Sequence, residues 1–144
     1  MDRASIIREL IRRNATDFVS YFESTPQEHE AERIIAASID GSSALSADRA
    51  VVEAMLPDTE DDGRPEASYA LNTGAMVLSL IDYLKTGDDQ HYHDAVTLFF
   101  DTVDLRIHEQ LERAGIPLPT DEQVVRHPLQ TQERRWFQSL EFAD

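Results

Sequence analysis

Apolar residues recur along most of this chain at steps of three and four, the spacing that lines one face of an α-helix. Over residues 4–24, Ile7, Leu10, Ile11, Phe18, Tyr21 and Phe22 form such a stripe and predict a first helix. Thr25-Pro-Gln-Glu28 announces a second. The threonine can cap, the proline suits the first helical position, and the glutamate can reach back to complete a capping box. Ile34, Ile35 and Ile39 give that helix its apolar face, and Gly41 gives it a stop. Ser46 is the expected cap of a short third helix that ends near Leu56-Pro57.

The pattern changes over residues 66–85. From Ala70 to Ile81 only Asn72, Thr73 and Ser79 interrupt the apolar run. A helix that is apolar on nearly every side belongs in the middle of a bundle. Thr86-Gly-Asp-Asp89 is a turn signal, with Gly87 suited to a left-handed helix end and Asp88 or Asp89 to the next cap. The longest helix follows over residues 89–114, with Val96, Phe99, Phe100, Val103, Ile107 and Leu111 on its buried face. Gly115-Ile-Pro-Leu-Pro119 ends it. Thr120-Asp-Glu-Gln123 is a second capping box, opening a short helix that His127-Pro128 must interrupt. A last helix carries Leu129, Trp136, Phe137 and Leu140. The expected core sets Leu71, Met76, Val77, Leu80, Ile81 and Leu84 against Phe99, Phe100, Val103 and Ile107. No internal repeat interrupts this order. The fold class is therefore all-α, a single-domain helical bundle of five to seven helices spanning residues 1–144.

Composition agrees with a globular chain and removes several chemistries. The 144 residues are 41% hydrophobic and 28% charged, in the range of one folded domain. There is no cysteine, which excludes disulfides, a thiol nucleophile and thiolate zinc sites. No apolar run is long enough to cross a membrane, and the start Met1-Asp-Arg-Ala-Ser lacks the plan of a signal peptide, so a cytoplasmic location is expected.

Charge alters the picture most. The formal net charge is −15, a balance that repels phosphate backbones and favours basic partners over nucleic acid. Residues 1–25 are balanced, with four acids and four bases, whereas residues 26–66 hold eleven acids and three bases. Asp58-Thr-Glu-Asp-Asp-Gly-Arg-Pro65 packs four acids into five positions between two prolines, which predicts an acidic loop at residues 57–65.

Candidate catalytic groups are few. His91 and His93 lie two apart, so on a helix they diverge and cannot chelate one ion together. Asp101, Asp104 and His108 do share a face, but the repeated Glu-x-x-His pairs of a dinuclear carboxylate bundle are missing. Asp58–Asp62 lacks the alternating ligands and distal glutamate of a calcium-binding EF-hand loop. The chain has no Gly-x-Ser-x-Gly elbow and no glycine-rich phosphate loop; Asn72-Thr-Gly74 falls inside a helix, and Lys85 is the one lysine. Arg12-Arg13 and Arg134-Arg135 read as solvated faces and Trp136-Phe137 as core. No catalytic residue, metal site or cofactor is expected.

From Ser68 onward the chain resembles a known group. Tyr69-Ala-Leu-Asn-Thr-Gly-Ala-Met-Val-Leu-Ser-Leu-Ile-Asp-Tyr-Leu is followed by Thr86-Gly-Asp-Asp and His93-Asp-Ala-Val. Glu112-Arg-Ala-Gly, Thr120-Asp-Glu-Gln, His127-Pro-Leu, Gln132-Glu133 and Phe137 come next. In this order they resemble the YjaG-like family of small helical bacterial proteins, which has no assigned function. The resemblance implies an all-helical cytosolic bacterial protein and carries over no site residues; the first 65 residues fall outside it.

The expected function is that of a non-catalytic protein-binding module. An immunity or antitoxin-like protein fits best, binding and neutralising a basic toxin, such as a nuclease effector, encoded beside it. A nuclease must be basic to hold phosphates, so an acidic partner is steered onto it. The expected docking residues are Asp58, Glu60, Asp61, Asp62, Asp88, Asp89, Asp94, Asp101 and Asp104. A regulatory or scaffold helical protein and a metal-dependent enzyme using the Asp/His helix face remain open alternatives, and homo-oligomerisation is compatible with each.

Overall fold

Helix occupies 78% of the described residues in the computed structural model, which describes residues 1–41, 45 and 48–143. Among the described residues there are seven helices and no strand. They are α1 (Arg3–Tyr21), α2 (Glu28–Asp40), α3 (Arg49–Met55), α4 (Pro65–Thr86), α5 (Asp89–Arg113), α6 (Asp121–Val125) and α7 (Pro128–Glu141).

The helix between residues 66 and 85 is central, as its apolar composition requires. α4 packs against α1, α3 and α5; α2 lies on α1, while α6 and α7 lie on α5. Ala70, Met76, Val77, Leu80 and Ile81 are buried on α4, against Ile7, Leu10, Ile11 and Phe18 of α1 and Phe99, Val103 and Ile107 of α5 in one cluster. Gly74 sits at the tightest point. A Cβ there would lie 2.5 Å from Leu56 Cδ2 and 3.3 Å from Phe18 Cε2. The register of α4 on α5 is held by Asn72, whose Nδ2 donates to Thr102 Oγ1 at 3.1 Å.

Several local signals work as chemistry dictates. Asp2 caps α1 by accepting from the Ser5 N–H at 2.8 Å, and Asp88 caps α5 through the Gln90 N–H at 2.9 Å. Gly41 and Gly87 end α2 and α4 with φ of 84° and 70°. The Thr120–Gln123 capping box opens α6. Pro128 starts α7, whose N-cap is His127.

Other expectations need correction. α1 stops at Tyr21 rather than Ser24, and Ser24 takes a φ of 65°. Thr25 then faces the wrong way to cap α2. Its hydroxyl donates back to the Phe22 carbonyl at 2.7 Å and accepts the Gln27 N–H at 3.2 Å. α2 begins only at Glu28, so the capping box of residues 25–28 does not form. The Ser46 cap lies outside the described residues. Leu84 is 46% exposed in the last turn of α4, and Leu71 and Phe100 are half-buried, so these three stand at the edge of the core.

Two substitutions probe this packing. Leu80 is fully buried, and Leu80→Ala should lower unfolding free energy by about 2–5 kcal/mol in denaturant titration. At Gly74 the Leu56 methyl can rotate away from a new Cβ, and a helix gains about 1 kcal/mol from alanine over glycine. Gly74→Ala should therefore be close to neutral. Gly74→Val should cost about 1–3 kcal/mol, because its second methyl has to displace buried Phe18; equal stability of the two variants would show a looser crossing.

Candidate functional site

The acidic loop is shaped by its own carboxylates. Asp58 accepts the Glu60 N–H at 2.9 Å, and its carbonyl accepts the Asp62 N–H at 2.9 Å. Asp62 faces inward. It accepts from the Tyr21 hydroxyl at 2.9 Å and pairs with Arg64 at 2.8 Å. The Arg64 guanidinium and backbone N–H, with the Tyr21 hydroxyl, hold the Asp62 carboxyl well below the usual carboxylate range. Asp62 is thus the bolt that fixes the loop to α1, whereas Asp58, Glu60 and Asp61 are exposed.

The acids of α5 divide between its two ends. Asp88 serves as the N-cap, Asp89 pairs with Arg3 at 2.8 Å, and Asp94 accepts from Gln90 Nε2 at 2.9 Å. At a rise of 1.5 Å per residue, Asp104 lies roughly 22 Å along the helix from Asp89. The acidic loop meets the far end: Gly63 and Pro65 share a cavity of about 200 Å³ with Leu105, His108, Glu109 and Glu112. The nine expected docking residues therefore fall into three groups: Asp58, Glu60, Asp61 and Asp62 on the loop, Asp101 and Asp104 nearer to it on α5, and Asp88, Asp89 and Asp94 at the other end of that helix. Glu109 and Glu112 belong beside the loop, although sequence reasoning passed over them.

Asp101, Asp104 and His108 share the expected face of α5. His108 Nδ1–H donates to the Asp104 carbonyl at 2.7 Å, which commits that nitrogen to its own helix. Burial, and then the neighbouring Asp101 charge, push the Asp104 carboxyl above its ordinary value, with His108 and Arg134 opposing. Among the described residues no group of three His, Asp or Glu side chains is placed to hold a metal ion.

Five of the arginines, Arg3, Arg13, Arg33, Arg49 and Arg106, pair with an acid of another element. Arg13 of α1 grips Glu133 of α7 through two hydrogen bonds of 2.6 and 2.8 Å and lies 4.2 Å over the Trp136 ring. Arg106 of α5 reaches Asp17 and Asn14 of α1 and stacks 5.0 Å from the Tyr69 ring. Tyr69 in turn donates to Glu109, and burial with that carboxylate raises its hydroxyl pKa. Arg49 joins α3 to Asp82 of α4 at 2.8 and 3.0 Å, and Arg33 joins α2 to Asp48. At the opposite end, Arg3 lies 4.5 Å over the Tyr92 ring, and burial with Glu141 pushes the Tyr92 hydroxyl up to about 12. One arginine of each tandem pair also makes a contact across helices: Arg13 with Glu133, and Arg134 at 4.8 Å over the Phe100 ring. All four arginines of these pairs are exposed, as the reading of solvated faces expects. A cavity of about 240 Å³ lies beside Arg13, Asn14, Arg106 and Glu133, and these side chains already bond one another.

Against known proteins, no family model, curated sequence or solved structure matches this chain.

Asp104 offers a test of the electrostatics. Its folded-state pKa lies above the unfolded value, so the ionised carboxylate opposes folding at neutral pH and ceases to do so as pH falls. Asp104→Asn should raise Tm at pH 7, with the gain shrinking toward pH 4. A lower Tm at pH 7 would show that attraction to Arg134 outweighs burial.

Proposed function

We propose that this protein is a non-catalytic binding module of the bacterial cytoplasm that neutralises a basic protein, as an immunity or antitoxin protein does. Its partner is a toxin, such as a nuclease effector, encoded beside it. The observation that carries this reading is the division of charge. The arginines Arg3, Arg13, Arg33, Arg49, Arg64 and Arg106 are engaged by acids within the fold. Much of the −15 excess is left on outward carboxylates such as Glu60, Asp61, Asp101 and Glu112. A field of that sign raises the encounter rate with a cationic surface and fades with added salt.

The loop supplies the discriminating test. Glu60→Ser with Asp61→Ser removes two outward charges and leaves the Asp62 anchor in place. Association with the basic protein encoded by the adjacent gene should slow by roughly tenfold at low ionic strength, with a shallower salt dependence and an unchanged Tm. Asp62→Ser should lower Tm as well. If the double variant associates like the parent at every salt concentration, the loop charge serves solubility and the docking role fails.

A further inference from the structure

The two long helices α4 and α5 are covered by α1 on one side and leave a groove open on another. Toward its Asp82 and Asp94 end it has a volume of about 390 Å³ between Ala75, Leu78 and Ser79 of α4 and Asp94, Thr97 and Leu98 of α5. Toward the acidic loop the same helix pair forms the cavity between Ser68 and Leu105 already described. The edges of this groove have a regular order. On α5, Asp94, Leu98, Asp101, Leu105, His108 and Glu112 follow at alternating steps of four and three; on α4, Ser68, Leu71, Ala75, Leu78 and Asp82 follow at three and four. That is the spacing with which a helix presents a seam to a neighbouring helix in a coiled coil. None of the eleven is buried, although the central α4 is buried on its other faces. Ala75, Ser79 and Thr97 are small enough for another backbone to approach closely.

We infer that this groove receives an amphipathic helix of the basic partner, its apolar edge against Ala75, Leu78, Leu98 and Leu105 and its lysines and arginines against Asp94, Asp101 and Glu112. The inference rests on the reading of a basic partner given above and adds where, and by which secondary structure, that partner is held. Charge selects the occupant. The groove's edges carry four carboxylates, of which Asp82 is neutralised by Arg49, and no lysine or arginine. A second copy docked groove to groove would set Asp94 and Asp101 against their own kind, whereas a cationic helix pairs with them. The groove is long enough to hold several helical turns: Asp94 to Glu112 spans roughly 27 Å along α5, and Ser68 to Asp82 roughly 21 Å along α4. Recognition of this type reads apolar anchors at helical spacing.

The test uses two synthetic 20-residue peptides of one lysine-, arginine- and leucine-rich composition. One places leucine at alternating steps of three and four; the other scrambles those positions. Fluorescence anisotropy against the full-length protein should show the patterned peptide binding at least about tenfold more tightly, since buried anchors carry most of the affinity of such contacts. Thr97→Trp, at an exposed position that fills the groove, should abolish that advantage while leaving the circular dichroism and Tm unchanged. Asp94→Asn with Asp101→Asn should weaken the patterned peptide by roughly fivefold at low salt and by less at high salt. Equal binding of both peptides, or an advantage that survives Thr97→Trp and an equally exposed Leu105→Ser, would overturn the groove. A parent protein that sediments as a dimer and becomes a monomer on Leu105→Ser would overturn it too, the groove being filled by a second copy. The adjacent-gene protein separates the two readings. If the parent binds it and Thr97→Trp binds equally well, only the groove falls; if the parent does not bind it, the basic-partner reading falls as well.

Discussion

The approach of α1 to α4 at Gly74 is the constraint on which the other packing depends. Phe18 is fully buried and would lie 3.3 Å from a Cβ on residue 74, with Leu56 closer still, at 2.5 Å, from the end of α3. A single Cβ here needs only the Leu56 methyl to turn aside, whereas any larger side chain would have to displace Phe18 and push the two helices apart. Once they are set, the remaining faces of α4 are assigned. Ala70, Val77 and Ile81 join the buried cluster, while Asn72 turns to Thr102 and fixes α5. Each large apolar side chain buried in this way stabilises the fold by about 1.5–3 kcal/mol. The outer helices α2, α3, α6 and α7 then cover other faces of this three-helix centre and leave the groove between α4 and α5 open.

Ion pairs act as the outer fasteners. Glu133 would be a costly group to bury alone, and Arg13 meets it with both arms of its guanidinium against the Trp136 face. Arg106 performs the same task between α5 and α1. Arginine suits this use because its planar fork binds a carboxylate at two points and still stacks on an aromatic ring. With thirteen bases in the chain, twelve of them arginine, against twenty-eight acids, each such pair removes one charge of either sign and leaves the net excess on the unpaired carboxylates. Self-repulsion of that surface opposes compactness, and the inter-helix pairs offset part of it.

Helix periodicity made the architecture legible, because burial on a cylinder imposes its period on the chain. The centrality of residues 70–81 was readable for the same reason: so few polar interruptions leave no face for solvent. What failed was local. Thr25-Pro-Gln-Glu28 matches a capping box, but its threonine bonds back to Phe22, since the chain leaving α1 turns through Ser24. Leu84 matches the apolar stripe, and spacing does not say where a neighbouring helix stops covering it. The acidic loop was legible from repulsion and prolines; the inward role of Asp62 was not, because its partner Tyr21 is distant in sequence. Glu133 did leave a signal that went unread. It falls between Leu129 and Trp136-Phe137 on the apolar side of α7, and a carboxylate there implies a cation from another helix.

The half-polar seams of α4 and α5 follow from a conflict between two demands. A fully apolar groove beside a central helix would collect a second copy or aggregate. A fully polar one would give a partner helix nothing to bury. Alternating aspartate with leucine on α5, opposite alanine and leucine on α4, sets apolar contact and negative charge side by side along the seam. Such a surface repels its own kind and stays hydrated when empty. A cationic helix changes both terms together: its charges relieve the repulsion among Asp94, Asp101 and Glu112 while its apolar edge excludes water from Leu98 and Leu105. Selectivity then arises as much from what the carboxylates reject as from what they attract.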